Sequence, residues 1–151
     1  MIRYINKEEA IAIHHETVEK SGGGSYDMIN DGYLDSFLEH IKNDDYYPTF
    51  EDKLTHLIWS ANKYHCFADG NKRISITLGA QFLLVNGYLC CVKRFLFEME
   101  NISYHLAAGR IDKELLQALL HSILQLEPDF DEELKLEYLM ACDNGQIGFD
   151  E

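Results

Sequence analysis

The segment that follows position 71 constrains the fold more than any other part of the chain. From Ile74 to Val85 apolar residues occupy nearly every position around a helix. A helix that is apolar on all sides is stable in water only when other elements cover it. Residues 71–86 therefore predict a central buried helix, and Gly87 suits its C-terminal end, where glycine is the usual left-handed residue.

A run of chemically versatile residues stands directly before this helix. Residues 65–73 read His-Cys-Phe-Ala-Asp-Gly-Asn-Lys-Arg. His65 is suited to act as a general base, and Asp69 is a hard oxygen ligand that can hold magnesium. Lys72 and Arg73 would add two positive charges beside the unpaired amides of a helix N-terminus, which favours bound phosphate.

Two further features shape this motif. Gly70 permits the tight turn that lets the amides of residues 70–73 face outward, and Phe67 would point inward and anchor the loop. An isolated histidine is more often a structural residue, and a Lys-Arg pair is more often a solvated face. Here seven specified residue types fall in register before a buried helix, and the glycine–lysine spacing of an ordinary P-loop is missing.

Charge and cysteine content narrow the classes of partner. The 151 residues suit one domain, and their net charge of -13 argues against direct nucleic-acid binding, which needs a basic face. Because positively charged residues are few in this chain, the basic cluster Lys63, Lys72 and Arg73 is a stronger indication of a functional site. The four cysteines show neither metal-site nor disulfide spacing, which predicts reduced thiols in the cytoplasm. No signal peptide or membrane-length apolar run is present, so no membrane partner is expected.

The motif His-x-Phe-x-Asp-Gly-Asn-Lys-Arg resembles the signature of the Fic/Doc superfamily, and specifically its Doc (death-on-curing) toxin branch. The glycines of residues 22–24 and the segment Asp-Gly-Tyr-Leu-Asp-Ser at 31–36 also resemble Doc-like chains. With the Arg3-Tyr4-Ile5 opening, the similarity runs to about Leu124.

The resemblance implies a kinase that uses ATP and Mg²⁺ to phosphorylate a hydroxyl, on serine or threonine, of a protein target. By resemblance that target is a translation elongation factor, and the toxin is paired with an antitoxin protein. His65 would accept the hydroxyl proton and Asp69 would hold magnesium. The resemblance further implies phosphate binding by Asn71, Lys72 and Arg73, with Gly70 shaping the loop.

Two other functions stay open. Fic adenylyltransferases carry a second glycine where this chain has Lys72, and many carry a second arginine where it has Ile76, so both positions favour the kinase. Gly70, however, matches the Fic pattern, whereas phage-type Doc has alanine there. The third possible function is that of a catalytically inactive module that only binds an antitoxin. The intact motif argues against it.

The remaining pattern predicts an all-α bundle of six or seven helices around the 71–86 helix, and the resemblance implies a small β-hairpin flap near the glycine-rich loop. Capping signals open helices at Asn6 and Thr49. The other helices are expected over 31–42, 96–108 and 112–124, with Tyr88–Val92 as a short extended piece.

The C-terminal segment differs in composition. We predict a Fic/Doc-like domain over residues 1–126, followed by an acidic helix or tail over 127–151 that packs on the same domain or extends from it. The tail holds nine acidic residues against one lysine, which is more typical of a solvated face than of a regulatory element. The inhibitory Ser/Thr-x-x-x-Glu-Gly/Asn motif of Fic enzymes is missing, since Glu100-Asn101 is preceded by Leu96. A brake supplied in trans by an antitoxin is therefore expected.

Overall fold

The computed structural model describes residues 1–28, 31–64, 66–67 and 70–150, without the side chains of residue 31 and of residues 144–150. Within these ranges the chain forms seven α-helices and no strand, which confirms the predicted all-α fold. The helices are α1 (Lys7–Lys20), α2 (Asp31–His40), α3 (Phe50–Lys63), α4 (Asn71–Val85), α5 (Leu89–Ala107), α6 (Lys113–Leu124) and α7 (Glu132–Asp150). None of the helices in these described ranges is both long and apolar enough to cross a membrane.

Local capping chemistry sets where several helices begin. At α1 the Asn6 side chain accepts from the Glu9 N–H at 2.8 Å, and the Glu9 carboxylate accepts from the Asn6 N–H at 3.2 Å. Thr49 and Asp52 form the same reciprocal box at the start of α3. Each box satisfies two amides that would otherwise lack a partner in the helix. Both predicted capping boxes are therefore confirmed.

Helix α4 is the centre of the bundle, as predicted. Ile74, Leu78 and Phe82 are fully buried along it. At Gly79 a Cβ atom would lie 2.6 Å from the Phe95 ring of α5, so α4 and α5 approach too closely there for a larger side chain. The helix is nevertheless open along one edge, because Leu84 is 41% exposed.

The predicted extended piece at Tyr88–Val92 is wrong. Gly87 has φ 86°, and the Tyr88 N–H donates to the Leu83 carbonyl at 2.9 Å, which closes α4 in a tight left-handed turn. This turn leaves no room for an extended segment, and α5 starts at once at Leu89. α5 is therefore longer than the predicted helix at 96–108, and α2 ends at His40 rather than near position 42.

The acidic C-terminal segment forms a longer helix than the short one predicted. Phe130, just before α7, is buried, and the Arg94 guanidinium of α5 lies 4.7 Å from its ring centroid. Further along, Asn101 of α5 donates to the Tyr138 hydroxyl at 2.6 Å. The turn before α7 and α7 itself thus each contact α5 once through these side chains. The predicted boundary at residue 126 falls in the turn between α6 and α7, where Leu126 has φ 58°.

The N-terminal segment is fastened to the end of α4. The Asn86 side chain accepts from the Arg3 N–H at 2.8 Å and donates to the Arg3 carbonyl at 2.9 Å. The same amide donates to the Phe82 carbonyl at 2.8 Å. One side chain thus holds the start of the chain against the central helix, beside the buried Ile5.

Candidate active site

The motif lies between the end of α3 and the start of α4. Its described residues are Cys66, Phe67 and the four residues 70–73. His65, Ala68 and Asp69 lie outside the described residues, so the predicted general base and magnesium ligand stay predictions.

Phe67 anchors the loop, as its place between polar residues predicts. Its side chain is only 2% exposed, and its ring stacks on that of His14 with centroids 3.7 Å apart. His14 is a fully buried residue of α1, so α1 supports the motif from below. The sequence alone does not single out His14 as part of the site. Its only signal was a position on the inward side of α1.

Gly70 adopts the left-handed backbone that the sequence predicted, with φ 78° and ψ 15°. Among the described residues, the nearest atoms to a Cβ at this position would be those of the Val18 side chain at 3.5 Å and the His14 ring at 3.7 Å. Glycine is therefore favoured by its backbone conformation rather than by lack of space.

The Asn71 side chain is used within the loop. Its Nδ2 donates to the Phe67 carbonyl at 2.8 Å, and its Oδ1 accepts from the Phe67 N–H at 3.4 Å. The first hydrogen bond of α4 runs from the Ile74 N–H to the Gly70 carbonyl at 2.8 Å. The N–H groups of residues 71–73 precede it and have no acceptor within the helix, which suits an anion.

Residues 70–73, which include the motif's two basic residues, line a cleft of about 520 Å³. One wall is the start of α4, from Gly70 to Arg73, together with Ile76. The opposite wall comes from α5 and consists of Glu100, Ser103 and Tyr104. The Lys72 Nζ lies 5.6 Å from the Tyr104 ring centroid. This second wall cannot be identified from the sequence alone, because no local pattern links α5 to the motif.

Among the described residues, no carboxylate pairs with the two basic side chains of the cleft. Within the described part of the chain, Lys72 and Arg73 form no ion pair, whereas Lys7, Lys20 and Lys42 each pair with an acidic residue. Glu100 lines the same cleft without reaching either cation. Two unpaired cations at a helix N-terminus, in a chain of net charge -13, indicate an anion site.

Lys63, the third member of the predicted basic cluster, has a structural partner. Its Nζ donates to the Leu106 carbonyl at 2.7 Å and lies 5.3 Å from the Trp59 ring centroid. A cation at the C-terminal end of α5 is favourable because the last helical carbonyls carry partial negative charge. Lys63 therefore ties α3 to α5 behind the cleft.

Arg110 extends the positive region beyond Tyr104. Its guanidinium carbon lies 5.8 Å from the Tyr104 ring centroid, and its Nη1 donates to His105 Nδ1 at 3.1 Å. Burial and the charge of Arg110 lower the pKa of His105, which favours the neutral imidazole that this hydrogen bond requires.

A second groove of about 430 Å³ adjoins the cleft, between α1, α4 and α5. It shares Arg73, Ile76 and Glu100 with the cleft. Ile13 and Leu96 make its walls partly apolar. A ligand in this groove would lie directly beside the motif's arginine.

The segment after the glycine-rich loop runs along the motif. Met28 and Phe67 form an isolated antiparallel bridge, and the Tyr26 ring contacts His15 of α1 with centroids 4.7 Å apart. Ile29 and Asn30 lie outside the described residues. In the described part the predicted flap therefore contributes this bridge and no hairpin.

The described residues of the cleft, with two cations at a helix N-terminus, fit a nucleotide's phosphates. The described ranges hold no group of three or more His, Cys, Asp or Glu that could bind a metal ion. Magnesium commonly binds through one or two carboxylates plus substrate phosphates, so Asp69 with bound phosphates would suffice.

Comparison with known proteins agrees with the geometry. The sequence model of the Fic/DOC family matches residues 4–83, which is more than half of the chain and includes the whole motif. No curated protein gives a significant match to the chain. The matched region spans α1 to α4, from the helix beneath the motif to the helix whose N-terminus faces the cleft. The chain belongs to the Fic/DOC family.

Proposed function

We propose that this protein transfers the γ-phosphoryl group of ATP to a serine or threonine hydroxyl of a protein target, as the resemblance to the Doc branch implies. Members of the family are in general transferases that act on proteins with ATP. The observation that carries the proposal is the pair of cations, Lys72 and Arg73, which form no ion pair with any described residue and lie at the N-terminus of α4. Phosphoryl transfer depends chiefly on positioning and on stabilising charge, and this cleft offers both.

Each motif residue has a role in this proposal. His65 accepts the proton of the target hydroxyl. Lys72 and Arg73 bind the phosphates together with the helix N–H groups, while Asn71 and Gly70 hold the loop in shape. Magnesium, held by Asp69 and the phosphates, would neutralise part of the phosphate charge when bound.

Adenylylation is the second candidate, and Gly70 favours it. The residue occupies the left-handed backbone for which the Fic pattern supplies glycine. Against it, Lys72 projects a charged side chain into the cleft at the position of the second Fic glycine. A side chain there would crowd a nucleotide bound in the Fic orientation, so we place the kinase first.

Labelled ATP separates the candidates. The purified protein is incubated with a cell lysate and with ATP labelled at either the α or the γ phosphate, beside the His65→Ala variant as a control. Label from the γ position on an acceptor protein, lost with His65→Ala, supports the kinase. Label from the α position means adenylylation. Label from neither position leaves the binding module as the function.

We further propose that the protein is a cytoplasmic toxin inhibited by a separate antitoxin. An amphipathic segment of that partner would fold as a helix into the groove between α1, α4 and α5. Ile13, Ile76 and Leu96 supply apolar contacts there, and Leu96 is 42% exposed. Leu96→Glu should weaken inhibition by a co-expressed antitoxin and leave labelling by the free protein unchanged. Unchanged inhibition would place the partner on another surface.

A further inference from the structure

We propose that Tyr104 positions Lys72 in the cleft. It thereby helps to determine whether the γ-phosphoryl group or the adenylyl group of ATP is transferred. This inference rests on the proposed phosphotransfer function. Tyr104 is a positioning residue in it, because it acts through Lys72 rather than on the reacting atoms.

The contact between the two side chains is direct. Tyr104 is 54% exposed on α5, and its ring lies across the cleft from the start of α4. The Lys72 Nζ is 5.6 Å from the ring centroid, within the range in which the ring's negative face attracts an ammonium group. In the described part of the chain, this ring is the only recorded interaction partner of the Lys72 ammonium.

An aromatic partner affects the charge that Lys72 offers to phosphate differently from a carboxylate. A lysine side chain has a flexible four-carbon stem, so it needs a contact to keep its ammonium at one place. A carboxylate would hold the ammonium but cancel its charge toward phosphate. The ring of Tyr104 holds it and leaves the full positive charge available, because the attraction comes from a quadrupole without net charge.

The surroundings of Tyr104 restrict the ring itself. The Arg110 guanidinium carbon lies 5.8 Å from the same centroid, and the His105 ring packs edge-on at 5.1 Å. Arg110 is in turn fixed by its hydrogen bond to His105. The ring therefore offers Lys72 a defined surface although it is half exposed.

The structural part of the proposal is tested without nucleotide. Protons on the carbon next to the Lys72 nitrogen should show an upfield ring-current shift in the NMR spectrum of the wild-type protein. Tyr104→Leu should remove this shift and Tyr104→Phe should keep it, because phenylalanine retains the ring. Tyr46→Leu is the matched control, since Tyr46 is also an exposed tyrosine, at 76%, but lies before α3, away from the cleft. A shift that survives in Tyr104→Leu overturns the proposal.

The functional part uses ATP labelled at either the α or the γ phosphate, with the same variants. Loss of an exposed cation–π contact corresponds to roughly a 2- to 5-fold change. Tyr104→Leu should therefore raise KM for ATP about 2- to 5-fold and increase the share of α-phosphate label, with Tm unchanged. Tyr104→Phe should behave like the wild type. Equal kinetics for Tyr104→Leu and wild type overturn the functional claim.

The two readouts separate failure of this inference from failure of the proposed function. If the wild-type protein transfers no γ label, the phosphotransfer proposal fails whatever the NMR shift shows. If it transfers γ label but Lys72 shows no ring-current shift, only the role of Tyr104 fails.

Discussion

Asn71, Lys72 and Arg73 are neighbours in the chain but have different environments. The Asn71 amide points back to the Phe67 backbone, whereas the two basic side chains face the cleft. A helix start produces this division, because successive side chains leave the axis about 100° apart. One turn of helix thus supplies both the brace of the loop and its charge.

The first prediction concerns the general base. His65→Ala should reduce transfer by roughly 10²–10⁴-fold, since removal of a positioned proton acceptor has an effect of this size. The rate of protein labelling from γ-labelled ATP measures it, with circular dichroism to verify folding. A folded His65→Ala protein that labels at a near-normal rate would contradict the assigned role.

The second prediction concerns Lys72. Lys72→Gly removes both the charge and the side chain that would crowd a nucleotide in the Fic orientation. We expect weaker γ-phosphate transfer and a rise in α-phosphate transfer in parallel assays with the two labels. Lys72→Met is the matched control, because it keeps most of the bulk without the charge and should lose γ transfer without gaining α transfer. Full γ transfer by Lys72→Gly would remove the main reason to prefer the kinase.

The sequence predicts the features of single residues that depend only on their neighbours in the chain. The turn at Gly70 and the inward Phe67 follow from the order of residues in the motif, and both are present. The contact of Lys72 with Tyr104, and the position of His14 beneath the loop, depend on how α5 and α1 fold back. Such contacts have no local pattern, so the sequence alone does not reveal them.

Helices α4 and α5 pack so closely at Gly79 that the addition of one methyl group there should disturb their contact. Gly79→Ala places a Cβ 2.6 Å from Phe95 and 3.1 Å from Ile58. Overpacking of this kind is destabilising by about 1–3 kcal/mol, while alanine gains about 1 kcal/mol in helix propensity. We therefore expect a net loss of about 1 kcal/mol in the free energy of unfolding, measured by urea denaturation.

A double-mutant cycle shows whether the clash is the cause. In a Phe95→Leu background the ring is gone, so Gly79→Ala should become neutral or stabilising. An equal loss in both backgrounds would mean that the strain lies elsewhere.

The contact between α3 and α6 contains a histidine whose charge the fold opposes. His56 is buried, and its Nδ1 accepts from the Lys113 ammonium at 2.9 Å, so the ring must be neutral. Burial, then the charges of Lys113 and His40, lower its pKa from 6.5 to about 4. Between these values the unfolded chain takes up a proton and the folded chain does not. The stability contributed by neutral His56 is therefore present above pH 6.5 and lost as pH falls towards 4.

The difference in the pKa of His56 between the folded and unfolded chain makes the free energy of unfolding depend on pH. At pH 5 the loss from His56 amounts to about 2 kcal/mol relative to pH 7.5. Urea denaturation at the two pH values should show it in the wild type, and His56→Gln should lose about that much less between them. Equal pH dependence in the two proteins would refute the assignment.

Element boundaries were predictable where a cap or turn decides them. Asn6 and Thr49 mark their helices through side-chain bonds to residues three positions later. The start of α5 at Leu89 has no side-chain cap, and aromatic and branched residues around Val92 resemble an extended segment. Packing against α4 overrides that local preference. The length of α7 likewise depends on Phe130 and Tyr138, which contact α5.

At the scale of the whole molecule, the acidic helix α7 is the alternative to a separate antitoxin as the inhibitor of the active site. Arg94 of α5 contacts Phe130 just before α7, and Asn101 further along α5 contacts Tyr138 within α7, so α7 leads towards the end of α5 that bears Tyr104. We nevertheless expect truncation after Leu126 to leave the γ-transfer rate per folded molecule unchanged, because the proposed brake is a separate antitoxin.

A control variant separates charge from packing in this experiment. Full-length protein carrying E132Q, E133Q, E137Q and D143N keeps Phe130 and Tyr138 in place and removes four negative charges. It should label at the wild-type rate and remain sensitive to the antitoxin. A large gain in activity or toxicity in either variant would show that the brake is internal.

The attachment of Arg3 to Asn86 also fixes an order of events during synthesis. The two residues are 83 positions apart, so the start of the chain leaves the ribosome long before its attachment point exists. At about 5–20 residues per second this interval lasts roughly 4–17 s. The motif, which precedes Asn86 in the chain, is also complete before that bond can form. The attachment of Arg3 therefore becomes possible after the motif has been made but before the α5 wall of the cleft, which follows Asn86 in the chain.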